Sequence, residues 1–291
     1  MRADPREYQL VTPGSLHSVA QLLSEEPGRW TPIAGGTDMM VLYAAGKLGA
    51  RNLVSIWNLP EMRGIEVTPN EVRIGAACTY SDLQKHKTVK SEFAMLSQAA
   101  SWTGGVANQN RGTLGGNIAN ASPAADSLPA LLAYDATLEL YSVRGVRQIP
   151  YAEFHFGYKK HALATDELIR TICLQRKKTG TIQYCRKVGT RNAQAISKVC
   201  IAGIARIADG IIEDVRIGLG SVAPIPVRLK KTEQKLLGKR VGPELVEMAR
   251  QTVAEQIEPI DDIRSTAEYR NAVAANLVAE FVQKICVEAE G

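Results

Sequence analysis

The 291-residue sequence predicts an α+β fold, because its strand and helix patterns come in separate runs without a steady β–α alternation. The clearest strand pattern is a long β-hairpin over residues 197–224, whose expected turn is Asp209-Gly210, a dipeptide typical of two-residue hairpin turns. The clearest helix pattern covers residues 265–290. Apolar side chains recur there at helical spacing and predict a core-facing stripe made of Val273, Leu277, Phe281 and Ile285.

The N-terminal part of the chain predicts a small β–α–β unit. Residues 15–26 have the apolar spacing of an amphipathic helix. A short strand then enters a glycine turn, and the helix that follows has Asp38 or Thr37 as its expected N-cap. Residues 52–57 contain β-branched and aromatic side chains that favour a strand. We therefore expect a first subdomain over residues 1–57.

The middle part predicts further helices and a second set of strands. Its patterns indicate a strand at residues 72–79 and two helices at 81–86 and 91–101. They continue with a glycine-rich segment at 113–126, a third helix at 127–135, a β-hairpin at 136–154 and a last strand at 166–175. The hairpin turn is expected at Arg144-Gly145. The polar stretch 176–181 predicts the next boundary, which gives a second subdomain at 58–176 and a C-terminal domain at 177–291.

Composition argues against several classes of protein. The net charge of +5 comes from scattered Lys and Arg without a basic run, so nucleic-acid binding is not expected. The five cysteines are dispersed and form no CxxC pair, which argues against a zinc site or an iron–sulfur cluster in this chain and is typical of a reducing cytoplasm. No apolar run approaches the roughly 18 residues that indicate a membrane span. The histidines form no motif and are expected in surface or structural positions: His17, His86, His155 and His161.

The segment PIAGGTDMM, at residues 32–40, is the first that carries chemistry. Its two adjacent glycines follow an apolar strand, so backbone N–H groups can approach a ligand without an intervening Cβ atom. The helix predicted directly afterwards adds N–H groups that suit a phosphate. The alternative is an ordinary strand-to-helix turn with an N-cap.

The segment TLGGNIANASPAAD, at residues 113–126, has a similar character. It offers a hydroxyl, two bare backbone units and a carboxamide, and Asp126 could bind the hydroxyls of a ribose or ribityl chain. The alternative is a surface loop in which Asp126 caps the next helix. Neither segment is a G-x-G-x-x-G or Walker A motif. Together, some 80 residues apart, they suggest a dinucleotide whose pyrophosphate lies between them.

Nearly the whole chain resembles the FAD-binding (medium) subunits of molybdenum hydroxylases, such as xanthine, nicotinate and carbon monoxide dehydrogenases. The resemblance rests on six stretches: AGGTD at 34–38, NLVSIWNLPEMRGI at 52–65, VRIGAACTYSDL at 72–83, NRGTLGGNIANASPAADSLPALLAYDATLEL at 110–140, DELI at 166–169 and YCRKVGTRNAQAISKVCIAG at 184–203. It implies a PCMH-type FAD-binding domain, like that of vanillyl-alcohol oxidase, in two subdomains. A small α+β C-terminal domain is expected to follow.

The resemblance also implies which residues bind the cofactor. Residues 33–38 and 113–117 are expected to cradle the pyrophosphate and the ribityl chain. Ile169 is expected near the isoalloxazine ring and Lys187 near its pyrimidine edge; the alternatives are a core strand residue and a solvated lysine. The complete expected set is Thr31, Pro32, Ile33, Ala34, Gly35, Gly36, Thr37, Asp38, Thr113, Leu114, Gly115, Gly116, Asn117, Ser122, Asp126, Ile169 and Lys187.

Two departures from the family pattern stand near the expected site. Gln109 replaces an arginine that relatives often have, and Ala195 stands where many relatives have aspartate. The second departure lies on a loop expected near the flavin, so it leaves the electron acceptor open. No residue of this chain is expected to act as an acid, a base or a nucleophile.

The function implied by the resemblance is electron transfer through non-covalently bound FAD. Electrons are expected from [2Fe-2S] clusters of a small subunit, after hydroxylation of a substrate at a molybdenum–pterin centre in a large subunit. NAD⁺ is the expected acceptor, and the expected assembly is a dimer of heterotrimers in the cytoplasm. The alternatives are a stand-alone flavin oxidase or reductase of the same superfold, and a scaffold subunit without flavin.

Overall fold

The computed structural model describes residues 4–176, 180–191 and 193–290, and it confirms the α+β class. Part of the predicted boundary stretch, residues 177–179, lies outside the described residues. The N-terminal unit consists of β1 (Gln9–Val11), α1 (Leu16–Glu25), β2 (Thr31–Ile33), α2 (Met39–Ala44) and β3 (Asn52–Ser55). Its three strands form a parallel sheet in the order β1-β3-β2, as a β–α–β unit requires.

The middle part begins with two strands and continues through six short helices. These elements are β4 (Ile65–Val67), β5 (Glu71–Gly75), α3 (Tyr80–Lys85), α4 (Lys87–Glu92), α5 (Ala94–Trp102), α6 (Val106–Gln109), α7 (Leu114–Asn120) and α8 (Leu128–Ala133). The strands that follow are β6 (Thr137–Ser142), β7 (Gly145–Pro150), β8 (His155–Gly157), β9 (Lys160–His161) and β10 (Leu168–Gln175). An antiparallel sheet forms in the order β4-β5-β10-β6-β7, so β10 lies at its centre.

The C-terminal part contains β11 (Thr181–Val188), β12 (Val199–Ala208), β13 (Ile211–Gly220), β14 (Val227–Arg228), α9 (Lys230–Leu236), α10 (Glu244–Val253) and α11 (Ala267–Glu290). The four strands form an antiparallel sheet in sequence order. Asp209 and Gly210 both have positive φ angles, which confirms the predicted hairpin turn. Of the predicted α11 stripe, Leu277, Phe281 and Ile285 are buried, while Val273 packs at the edge of the core.

Two hydrophobic cores hold these sheets. The first extends from Leu16 to Leu174 and also takes in Ala202 and Ile204 of β12. The second contains the rest of the C-terminal sheet and the inner faces of its helices. Helix α8 packs on β12 and β13, so tightly that a Cβ atom on Gly218 would overlap the carbonyl oxygen of Pro129. The C-terminal sheet is therefore packed directly against the helices of the middle part.

Two local predictions were wrong. The helix predicted over 91–101 is divided at Phe93, because this residue is buried against the edge of the Tyr134 ring with its backbone outside the helical region. The hairpin turn was misplaced by one residue, since Ser142 pairs with Gly145 and the turn residues are Val143 and Arg144.

No helix in the described ranges is both long and apolar enough to cross a bilayer.

Candidate functional site

The two glycine segments predicted to share a ligand lie directly against each other. A Cβ atom on Gly35 would overlap the carbonyl oxygen of Arg111, two residues before the second segment. Only glycine permits this approach of the two backbones. A backbone contact therefore brings together two segments that lie about 80 residues apart in the sequence.

A cavity of about 640 Å³ opens beside this contact. Its volume is within the roughly 300–1,000 Å³ that is typical of sites for small molecules and cofactors. Both glycine segments line it, and so does Ile169 of β10, the central strand of the middle sheet. Twelve of the seventeen predicted residues are in its lining: Thr31, Pro32, Ala34, Gly35, Gly36, Thr37, Asp38, Thr113, Gly115, Gly116, Asn117 and Ile169.

The first glycine segment presents open backbone donors to the cavity. Within the described part of the chain, the N–H groups of residues 35–38 donate no hydrogen bond to another protein group. Gly36 has a φ angle of +73°, a conformation that side-chain-bearing residues rarely adopt. Asp38 occupies the N-cap position of α2, but its side chain makes no capping hydrogen bond. Successive unpaired N–H groups of this kind suit an anion.

The second glycine segment differs from the first, because it forms the short helix α7. The N–H groups of Leu114 and Gly115 donate to the carbonyl oxygens of Cys78 and Ala76, and that of Gly116 donates to Thr113 Oγ1. These three donors are therefore used within the protein, whereas the N–H group of Thr113 donates to no other group in the described part of the chain. Gly116 remains open toward the cavity, since an added Cβ atom would meet only Thr113 Oγ1, at 2.8 Å.

Asp126 and Lys187 contact each other and are absent from the cavity lining. Lys187 Nζ lies 2.6 Å from Asp126 Oδ2, and Ser197 donates its hydroxyl hydrogen to the other carboxylate oxygen. The Lys187 and Asp126 side chains are only 3% and 8% exposed. Burial raises the pKa of Asp126, and the lysine charge opposes that rise. The pair links β11 to the loop before α8. The alternative prediction for Lys187, a lysine exposed to solvent, is therefore wrong.

Three further predicted residues also lie outside the lining. Ile33 lies beneath Gly36, 3.6 Å from the position of its missing Cβ atom. Leu114 is completely buried in the first core. Ser122 lies in the turn after α7, where its hydroxyl oxygen accepts a hydrogen bond from the Ala124 N–H group.

Sequence reasoning missed the remaining wall of the cavity. This wall includes Leu48, Ala50, Ile56, Met62, Tyr80, Thr103, Gly104, Asn108, His161 and Leu163. The Gly104-Gly105 pair was a recognisable signal, and Gly104 has a φ angle of +62°. His161 was expected in a surface or structural position, but it lines the cavity, and burial lowers its pKa. Its ring is therefore neutral near pH 7.

Two arginines stand close to the Gly35 contact. The guanidinium carbons of Arg111 and Arg63 lie 4.0 Å and 4.3 Å from the centre of the Trp57 ring. Neither arginine forms an ion pair with another described residue. Arg63 donates to the Trp57 carbonyl oxygen instead. Neither arginine lines the cavity, whereas Asp38, which belongs to the segment with open N–H groups, does.

Comparison with known families shows which family the chain belongs to. Residues 6–174 match the family model described as the FAD-binding domain in molybdopterin dehydrogenase, and residues 184–285 match the CO dehydrogenase flavoprotein C-terminal domain. The chain is an FAD-binding subunit of the molybdenum hydroxylase family. Its relatives are dehydrogenase subunits, so it is a subunit of an oxidoreductase.

Individual relatives match over nearly their full lengths. The xanthine dehydrogenase FAD-binding subunit of Escherichia coli O157:H7 is 30% identical over 279 residues, which cover 94% of this chain and 93% of that protein. The carbon monoxide dehydrogenase medium chain of Hydrogenophaga pseudoflava is 27% identical over 274 residues, which cover 94% of this chain and 95% of that protein. A solved structure of carbon monoxide dehydrogenase from that organism superposes with a TM-score of 0.92, covering 96% of each chain at 27% identity.

Among the described residues, no group of three or more His, Cys, Asp or Glu side chains could hold a metal ion. The residues present do fit FAD. The cavity lining combines open backbone N–H donors, glycines without Cβ atoms and the apolar side chain of Ile169. A dinucleotide needs these same features, namely a place for an anionic pyrophosphate and an apolar surface for a flat ring.

Proposed function

We propose that FAD lies in the 640 Å³ cavity with its pyrophosphate against residues 35–38 and its isoalloxazine ring toward Ile169. The unpaired N–H groups of residues 35–38 carry this proposal, because they are donors that a bound anion would satisfy. Ile169, which is 5% exposed, offers the ring an apolar contact.

The seventeen predicted residues take different roles in this proposal. The twelve that line the cavity contact the cofactor. Ile33 and Leu114 support the two glycine segments from the core side. Asp126 and Lys187 act as a buried pair that fixes β11 beside the cavity, and Ser122 belongs to the turn that leads to Asp126. The pair is close to neutral as a whole, so its direct influence on the charge of the flavin is small.

We further propose that the chain transfers electrons from [2Fe-2S] clusters of a small subunit, through FAD, to NAD⁺ or another acceptor. Bound FAD supplies the coupling of one-electron to two-electron transfer. The protein binds and orients the cofactor and excludes water from its apolar side. The partners in this proposal are that small subunit and a large molybdenum–pterin subunit, assembled as a dimer of heterotrimers. The names of the relatives support it, since they include medium chains of carbon monoxide and glyceraldehyde dehydrogenases.

Two organisational proposals accompany this function. The chain divides into subdomains at 1–57 and 58–176 and a C-terminal domain at 177–291, which is supported by the three separate main sheets. We place its activity in the cytoplasm, because its five cysteines are all outside disulfides, as is typical of a reducing compartment.

The acceptor proposal is tested by mixing the FAD-loaded full chain with NADH under anaerobic conditions. Loss of the visible flavin absorption is expected, since electron transfer between NADH and the flavin is reversible. If dithionite removes the absorption but NADH leaves it unchanged, NAD⁺ is not the acceptor of this chain.

Gly116→Val is expected to lower the affinity for FAD by at least tenfold or so, because a branched side chain would occupy cavity space and displace the Thr113 hydroxyl. Quenching of FAD fluorescence during titration with the purified protein measures this affinity. Gly116→Ala adds only one methyl group and is expected to have a smaller effect. Full FAD affinity in Gly116→Val would show that the cofactor does not lie against α7.

A further inference from the structure

The side chain of Gln109 lies behind the cavity and is almost completely buried, with 8% of the residue exposed. Gln109 is the last residue of α6. Its Nε2 donates to the carbonyl oxygen of Ser101 at 2.9 Å and to that of Gly104 at 3.3 Å. Its Oε1 accepts a hydrogen bond from Gln84 Nε2 at 3.1 Å. One amide group thus links α3 to the turn between α5 and α6.

This turn forms a wall of the cavity. Thr103 and Gly104 are both in the lining, and Gly104 has a positive φ angle. Within the described residues, no donor other than Gln109 Nε2 bonds to the carbonyl oxygens of Ser101 and Gly104. The Thr103 hydroxyl is fixed separately, since it donates to the Ala99 carbonyl oxygen. The orientation of the Gly104 peptide therefore depends on the Gln109 amide.

The amide is itself held in a single orientation. Gln84 donates to Gln109 Oε1 and also contacts the Tyr80 carbonyl oxygen, at 3.3 Å. If the Gln109 amide were flipped, its oxygen would face two carbonyl oxygens and its NH₂ group would face another NH₂ group. The hydrogen bonds of Gln84 and Gln109 thus form a connected path from α3 to the cavity wall.

We infer that Gln109 is a positioning residue for the flavin, which holds the Thr103–Gly104 wall in the conformation that the bound cofactor requires. The inference rests on the proposed placement of FAD in this cavity. Gln109 itself does not touch the cavity, so its effect on FAD passes through the backbone of residues 101–104. Since a partly buried carbonyl oxygen loses stabilisation when its donor is removed, loss of the amide would release this turn from its present path.

The test compares three substitutions at this position in the full chain, with the FAD dissociation constant as the readout. Gln109→Glu keeps the size of the side chain, but it removes both N–H donors and places a carboxylate against two carbonyl oxygens. We expect it to weaken FAD binding roughly tenfold or more. Gln109→Met removes the donors without adding charge and is expected to weaken binding about threefold or more, which keeps the test decisive if Gln109→Glu does not fold. Gln109→Arg retains N–H donors but offers no acceptor to Gln84, so it is expected to weaken FAD binding less than Gln109→Glu does.

Gln183→Glu is the matched control. Gln183 Nε2 also donates to a backbone carbonyl oxygen, that of Glu92 at 2.9 Å, and its Oε1 accepts from Tyr134, but the residue does not line the FAD cavity. This variant is expected to lose thermal stability and keep its FAD affinity. Melting temperatures of the flavin-free proteins separate the two effects, because a purely structural role would lower stability equally at both positions.

The outcomes distinguish this inference from the function on which it rests. Failure of the unmodified chain to bind FAD would overturn the proposed function. If the unmodified chain binds FAD and Gln109→Met and Gln109→Glu bind it equally well, the positioning role is wrong. It is also wrong if Gln183→Glu weakens FAD binding as much as Gln109→Glu does. Weakened binding in the Met and Glu variants, with a smaller loss in Gln109→Arg than in Gln109→Glu, supports it.

Discussion

Gly35→Ala is expected to abolish FAD binding and to destabilise the protein by about 3 kcal/mol or more. The new methyl group would overlap the carbonyl oxygen of Arg111, which is backbone and cannot move aside like the end of a side chain. The two glycine segments would therefore separate, and the cavity between them would change shape. Flavin retained after desalting and the free energy of unfolding in urea measure the two effects.

Gly14→Ala provides the control for this substitution. Gly14 lies in the same N-terminal unit, and a Cβ atom there would meet no other atom within 4 Å. This variant is expected to bind FAD normally and to change stability by less than about 1 kcal/mol. A Gly35→Ala protein with normal FAD occupancy would show that the close contact between the segments is not needed for the site.

Asp126→Ala is expected to destabilise the protein by about 3–5 kcal/mol, because it leaves the buried Lys187 ammonium without its counter-charge. The Ser197 hydroxyl would lose its acceptor in the same variant. Chemical denaturation at neutral pH measures the change in the free energy of unfolding. FAD affinity of the fraction that folds is expected to change much less than stability, since the carboxylate does not line the cavity.

The double variant Asp126→Ala/Lys187→Met isolates the coupling between the two charges. Methionine removes the unpaired charge, so the double variant is expected to recover at least about 1 kcal/mol relative to Asp126→Ala alone. The opposite pattern would contradict this account. If Asp126→Ala leaves stability unchanged but strongly weakens FAD binding, the carboxylate binds the cofactor directly, as the family resemblance implies.

The sequence predicted that the two glycine segments share one ligand, because adjacent glycines let backbone N–H groups approach a ligand without an intervening Cβ atom. The direct contact of Gly35 with the Arg111 backbone was not part of that prediction. The hairpin at Asp209-Gly210 was predicted for a similarly local reason, since both turn residues need positive φ. Local backbone requirements of this kind are visible in the residues themselves. Helices such as α1 and α11 and strands such as β3 were predicted from apolar spacing and β-branched content, which are also local signals.

Features that depend on tertiary contacts could not be predicted in this way. The two adjacent glycines at 115–116 disfavour a helix, yet α7 forms because Thr113 caps it and Gly115 packs against Ala76. A Cβ atom on Gly115 would lie only 2.8 Å from the carbonyl oxygen of Ala76. The Asp126–Lys187 pair joins residues 61 positions apart and depends on the placement of β11. The hydrogen bond between Gln84 and Gln109 likewise joins two helices through side chains 25 positions apart.

A crystal structure of the full chain with FAD tests the central claim most directly. The account predicts pyrophosphate oxygens within hydrogen-bond distance of the N–H groups of residues 35–38 and an isoalloxazine ring in contact with Ile169. It also predicts that the Lys187–Asp126 ion pair remains closed. FAD bound outside this cavity, or a pyrophosphate that leaves those N–H groups unpaired, would contradict the account.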